Sequence, residues 1–145
     1  MPAEILLVED NLGDVRLMKE AFRHADSSID LHVACDGVEA MDFLRHRGDY
    51  LHAPRPDCIL LDLNLPKLDG HGVLSQIKHD ADLMTIPTII LTTSVAEADI
   101  VKSYRLHANC YLTKPVQLDD FDRVVKSLTY FWLTMVKLPQ QRLGV

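Results

Sequence analysis

Five residues able to bind ions or carry a phosphoryl group stand at the ends of short aliphatic runs. Glu9 and Asp10 follow residues 5–8, Asp62 ends the run 58–62, Thr92 ends 87–92, and Lys114 follows 110–113. Three carboxylates brought into one cleft repel one another unless a cation joins them. Their ligand atoms are all hard oxygens, which suits Mg²⁺ rather than zinc. Lys114 adds a second cation, and Thr92 a hydroxyl that can donate to an anion. Such a set around one carboxylate, Asp62, is suited to forming and holding an acyl phosphate. Positioning and charge neutralisation are most of what phosphoryl transfer asks of a protein. Singly, each residue has a plainer reading: the Asp a turn residue, the Thr a strand former, the Lys a solvated charge. The functional reading rests on their complementary types and on a fold that gathers them.

That gathering requires a parallel sheet. Ile59, Leu60 and Leu61 form a continuous aliphatic run, as expected of a strand buried on both faces. Pro66 and Gly70 mark a turn after Asp62. Strands are expected at 5–8, 29–33, 58–62, 87–92 and 110–113. The first helix, capped by Asp10 or Asn11, carries Leu12, Val15, Met18 and Phe22 at helical spacing. Further helices are expected over 38–44, 70–80 and 97–106. The last begins near Leu118 and keeps an apolar face as far as Val136, with Pro139 as its stop. Residues 46–57, rich in Arg, Gly and Pro, read as an irregular connection. Strands alternating with helices imply an α/β fold: a doubly wound five-stranded parallel sheet covered on both faces. In such sheets ligands sit beyond the carboxyl ends of the strands, where the five residues stand.

With 145 residues and no internal linker, the chain is expected to be one domain over 1–145 with an extended C-terminal helix. Its net charge of −6 is a poor match for nucleic acid or anionic lipid. No apolar run reaches the length of a membrane span, and Met1-Pro2-Ala3-Glu4 has no signal-peptide character. Cys35, Cys58 and Cys110 are scattered and read as reduced core thiols of a cytoplasmic protein. The seven histidines have neither zinc spacing nor a cysteine partner and read as surface or loop residues.

The motifs together resemble the receiver domain of two-component response regulators, the CheY-like fold. They are Glu9-Asp10, Asp62-Leu63-Asn64-Leu65-Pro66 with Asp69-Gly70, Thr92, and Lys114-Pro115, in order along nearly the whole chain. Phytochrome response regulators of cyanobacteria and bacteria are the most similar subfamily. They resemble this chain in Ala53-Pro54-Arg55-Pro56-Asp57, Leu91-Thr92-Thr93-Ser94, Ala108-Asn109-Cys110-Tyr111 and Phe131-Trp132-Leu133.

The resemblance implies strand order 2-1-3-4-5 and a phosphoacceptor, Asp62, that takes its phosphoryl group from a sensor histidine kinase, here a phytochrome. It implies Mg²⁺ held by the side chains of Asp10 and Asp62, by the Asn64 backbone carbonyl, and by Glu9 through water. Thr92 and Lys114 would hold the phosphoryl oxygens, and Tyr111 would be an aromatic switch answering to Thr92. The Lys114–Pro115 bond is expected to be cis. The protein would be no enzyme in the usual sense but a phosphoacceptor catalysing its own phosphorylation and dephosphorylation.

Two other readings are weighed beside it. An Asp-nucleophile phosphohydrolase needs a second Asp two residues after the first, where this chain has Asn64. A phosphate-independent interaction module would not need the carboxylates or Lys114. No DNA-binding domain is expected to follow, so the signal would leave through the fourth helix, fifth strand and last helix. Phe131, Trp132, Met135 and Val136 are expected either to form a symmetric homodimer contact or to fold back on their own domain.

Overall fold

The structure, a computed structural model, describes residues 2–139. Its elements are β1 (Glu4–Val8), α1 (Leu12–Ala25), β2 (Asp30–Ala34), α2 (Gly37–Leu44), β3 (Cys58–Leu61), α3 (Gly70–Lys78), β4 (Thr88–Thr92), α4 (Glu97–Arg105), β5 (Cys110–Thr113) and α5 (Leu118–Tyr130). The five strands are all parallel, in the order β2-β1-β3-β4-β5.

The central strands are aliphatic because both their faces are covered. Leu6, Val8, Ile59, Leu61 and Ile90 point to one face, where they meet Met41, Phe43, Leu44, Val73, Leu74 and Ile77 of α2 and α3. Ile5, Leu7, Leu60, Ile89 and Leu91 point to the other, against Met18 and Phe22 of α1 and Phe121, Val125 and Leu128 of α5. A one-residue slip of β3 would exchange these sets, so the register that places Asp62 is fixed by packing.

Short polar side chains start three helices. Asn11 accepts from the Asp14 N–H at 3.0 Å, Asp36 from Glu39 at 2.7 Å, and Asp69 from Gly72 at 2.8 Å. Asn11 thus takes the cap of α1 and leaves Asp10 free for other contacts. Leu12, expected on the inner face, is 72% exposed because it lies in the first turn, beyond the reach of the sheet.

At the opposite edge of the sheet, the Lys78 ammonium donates to the carbonyls of Met84 and Ile86, each at 3.0 Å, and to Asn109 Oδ1 at 3.1 Å. The same Asn109 oxygen accepts from the Thr88 N–H at 2.9 Å. This buried cation pins the starts of β4 and β5, and its burial lowers its pKa.

Three expectations need correction. The last helix does not run to Pro139. It widens into a π turn over Phe131–Met135, with the Val136 N–H on the Phe131 carbonyl at 2.9 Å, and Val136 is already extended. Pro139 has no N–H to offer the Met135 carbonyl, and its ring drives the preceding residue out of helical geometry. The Lys114–Pro115 bond is trans, as are all the others described. The Lys114 N–H donates to the Thr92 carbonyl at 2.7 Å and carries the β4–β5 ladder straight out of the sheet, and trans is the lower-energy isomer where no tight turn demands otherwise. Cys35 is exposed and not a core thiol, because it lies just past the end of β2; Cys58 is buried and Cys110 half-buried, and all three are free.

Residues 46–57, expected to be irregular, contain a short 3-10 turn, Gly48–Tyr50. The Tyr50 ring packs on Phe43, and its hydroxyl donates to Glu39 at 2.5 Å. No helix among the described residues is long and apolar enough to cross a membrane.

Candidate functional site

The carboxyl ends of β1, β3, β4 and β5 bring Glu9, Asp62, Thr92 and Lys114 together, all buried. Asp10 is exposed at the rim. One carboxylate oxygen from each of Glu9, Asp10 and Asp62 lies within 4.8 Å of the other two. This close set of hard oxygens fits a divalent cation. The Lys114 ammonium lies 2.8 Å from Asp62 Oδ2 and 2.9 Å from Asp14 Oδ2, and also pairs with Glu9. A groove of about 420 Å³ opens beside them, lined by Asp10, Asn64, Pro66, Asp69, His71 and Asp99 among others.

Electrostatics separates the carboxylates. Burial pushes Glu9 up to about 7, and the negative charge of Asp62 adds to this while the Lys114 ammonium opposes it. Burial works the same way on Asp62, but the Lys114 ammonium, the Thr92 hydroxyl and the Asn64 N–H outweigh it and hold the group below its ordinary value. Burial alone would lower Lys114; its bonds to Asp62, Glu9 and Asp14 raise it instead. At neutral pH Asp62 is therefore an ionised nucleophile beside a fixed cation. The Asn64 N–H donates to Asp62 Oδ1 at 3.3 Å, while the Asn64 side chain is exposed.

Asp14 is the residue the sequence reading missed. In the first turn of a capped helix an acid looks like a partner for the helix dipole. Its bond to a lysine 100 positions away is set by tertiary structure alone.

Gly70 shapes the loop after Asp62. A Cβ there would lie 2.2 Å from the Asp62 carbonyl oxygen and 2.5 Å from Leu63 Cα, both backbone atoms that cannot step aside. Gly70→Ala is expected to cost about 1–3 kcal/mol, as for overpacking generally, and to displace the Asp62 loop. Denaturant unfolding checks the first effect, and the phosphorylation rate with a small phosphodonor checks the second.

Tyr111 is half-buried, and its hydroxyl donates to the Ser94 carbonyl at 3.0 Å, two residues beyond Thr92. The four residues expected at a dimer contact do not act alike. Trp132 packs against the core of its own domain. Phe131 and Met135 are 50% and 61% exposed, and Val136 lies beyond the helix.

Comparison with known proteins agrees with this geometry. The model of the response regulator receiver domain family matches residues 5–126. The chain belongs to that family. It is 49% identical over 138 residues to response regulator Rcp1 of Synechocystis, covering 95% of this chain and 94% of Rcp1. The phosphorylated cyanobacterial phytochrome response regulator RcpA has the same fold, with a TM-score of 0.93 and 47% identity over 97% of this chain and all of RcpA. The Mn²⁺-bound form of Rcp1 superposes with a TM-score of 0.88 at 48% identity, covering 96% of this chain and all of that one. The chain is thus a receiver-domain response regulator homologous to phytochrome response regulators.

Proposed function

We propose that this receiver domain, a single unit over residues 1–145, takes a phosphoryl group on Asp62 from a phosphohistidine of a sensor histidine kinase. An Asp62 oxygen attacks phosphorus, the P–N bond breaks, and the histidine leaves with its electron pair. The observation that carries this reading is the Lys114 ammonium 2.8 Å from Asp62 Oδ2, in a cleft where two further carboxylates stand within reach of one cation. Lys114 and the Thr92 hydroxyl would hold the phosphoryl oxygens, and Lys114 must then loosen its hold on Glu9 and Asp14. Asp10 and Asp62 through their side chains, Asn64 through its backbone carbonyl and Glu9 through water would hold Mg²⁺. When bound, that ion supplies neutralisation of charge on the transferred group. The protein carries its own groups for gaining and losing the phosphoryl group and acts on no separate substrate. The kinase partner would be a phytochrome, a reading supported by the relatives' identities, and the setting cytoplasmic, without nucleic-acid or membrane partners.

Incubation with acetyl phosphate and Mg²⁺, followed by mass spectrometry, tests the proposal. One added phosphoryl group is expected; an unmodified mass at all donor concentrations would refute it.

Glu9 makes metal binding pH-dependent. With its pKa at about 7, Glu9 holds a proton below that pH, and its water-mediated hold on a divalent cation needs the ionised form. Mg²⁺ affinity is expected to fall as pH drops below about 7, by up to about tenfold per unit, and to level off above it. Calorimetric titration across pH 5.5–8.5, a range of roughly 1.5 units either side, checks the slope.

Output would leave through α4, β5 and α5. The segment after α5, with Phe131, Trp132, Met135 and Val136, is what we read as a symmetric homodimer contact; Phe131 and Met135 are its most exposed apolar residues, and Tyr111 would be the switch of the output face. Sedimentation should show a concentration-dependent mass that Phe131→Ser weakens. A constant monomer mass, with and without a phosphoryl analogue, would rule the dimer out.

A further inference from the structure

Within α4 apolar burial is slight: Ile100 is half-buried, and Leu106 at the C-cap packs on the core. Ser103 is its one fully buried residue, and Val101 and Tyr104 lie substantially exposed. Its N-cap position, Ala96, offers no side-chain bond. Its start therefore lacks the side-chain cap that begins α1, α2 and α3, while its end closes on backbone bonds as theirs do.

What fixes it is a continuous hydrogen-bonded path. His71 Nε2, on α3, lies 3.0 Å from Ser103 Oγ. The Ser103 hydroxyl donates its only proton to the Asp99 carbonyl at 2.8 Å, so the His71 Nε2–H must be the donor across the gap between helices. The Asp99 carboxylate accepts from the Ser94 hydroxyl at 2.6 Å. The Ser94 carbonyl accepts from the Tyr111 hydroxyl at 3.0 Å, and the Ser94 N–H reaches Thr92 Oγ1 at 3.5 Å. One end of the path, His71, lines the groove it shares with Asp10 and Asn64. The other end is the pair Thr92 and Tyr111.

We infer that His71, Ser103, Asp99 and Ser94 form a latch that sets the place of α4 and, through Ser94, the place of Tyr111 beside Thr92. The inference deepens the phosphoacceptor reading of Asp62 and rests on it. A bond between Ser94 and Asp99 alone would be a local helix-start contact. The latch is more than that because its two ends lie on α3 and β5: His71 of α3 bonds Ser103 within α4, and Tyr111 of β5 bonds Ser94 in the loop that leads into α4. A shift of Thr92 towards a phosphoryl group pulls on Ser94, and a partner seated in the groove pushes on His71. Both act on the same helix. These four are positioning residues; none touches the reacting atoms.

A double-mutant cycle tests the latch. His71→Ala should slow phosphorylation by acetyl phosphate about fivefold, the loss expected for one hydrogen bond that holds a conformation. In a Tyr111→Phe background the same substitution should change the rate by no more than about 1.5-fold, because its effect is transmitted through Tyr111. Ser103→Ala, a smaller change in the same link, should behave like His71→Ala. Incorporated 3-fluorotyrosine gives an independent readout: the Tyr111 resonance, assigned by its absence in Tyr111→Phe, should move in His71→Ala and Ser103→Ala. Equal effects of His71→Ala in both backgrounds, or an unmoved Tyr111 resonance, would overturn the latch. If the wild type takes up no phosphoryl group, the phosphoacceptor reading falls and the resonance alone decides whether the latch exists.

Discussion

Asp62→Asn is expected to leave the protein folded and unable to gain a phosphoryl group. An amide oxygen is no nucleophile towards phosphorus at neutral pH, and neither Glu9 nor Asp10 is placed to stand in. Glu9 is buried with its pKa raised, and Asp10 lies at the rim without the Lys114 contact. The substitution preserves shape, so β3 and its register stay in place. Lys114 keeps Glu9 and Asp14 as partners. Mass spectrometry after acetyl phosphate treatment should show no phosphoryl adduct, and circular dichroism should match the wild type. A persistent adduct would place the acceptor on another residue.

The second large effect is expected from Lys114→Met. Removing one preorganised donor from a charged transition state costs about 10²–10³ in rate, and Lys114 is the buried ammonium in contact with Asp62. The loss also leaves the buried carboxylates of Glu9 and Asp62 without their cation, and breaking a buried pair on one side costs about 3–5 kcal/mol. A divalent ion can replace part of that missing charge. Mg²⁺ should therefore raise the melting temperature of Lys114→Met by more than it raises that of the wild type. Equal increments in the two proteins would show that ammonium and metal do not substitute for one another.

Much of this site was legible before any coordinates. Buried parallel strands must be aliphatic, so β1, β3 and β4 announce themselves, and the residue types just past them stand out against that background. Topology then brings Glu9, Asp62, Thr92 and Lys114 to one edge. What stayed hidden depends on side chains meeting across long sequence separations. Asp14 reads as a helix-dipole partner, and nothing local ties it to Lys114. His71 and Ser103 carry no periodic signal, because a polar anchor does not repeat as an apolar face does. Helix ends are set by small balances: the apolar pattern continues through Met135 and Val136, but the backbone has already opened into a wider turn. Cys35 reads as core because it stands beside an apolar run, but β2 ends at Ala34 and leaves it exposed.

The two helices that meet through His71 and Ser103 are held by different means. To shift α3, the fold must uncover Val73, Leu74 and Ile77, each with no exposed area and each worth about 1.5–3 kcal/mol of burial. To shift α4, it must exchange a few hydrogen bonds of about 1 kcal/mol each, while the helix's outward valine and tyrosine are already wet. Displacing α4 thus costs less free energy than displacing α3 on the same sheet. A small chemical event at the strand ends would be felt as displacement in α4 more than in α3.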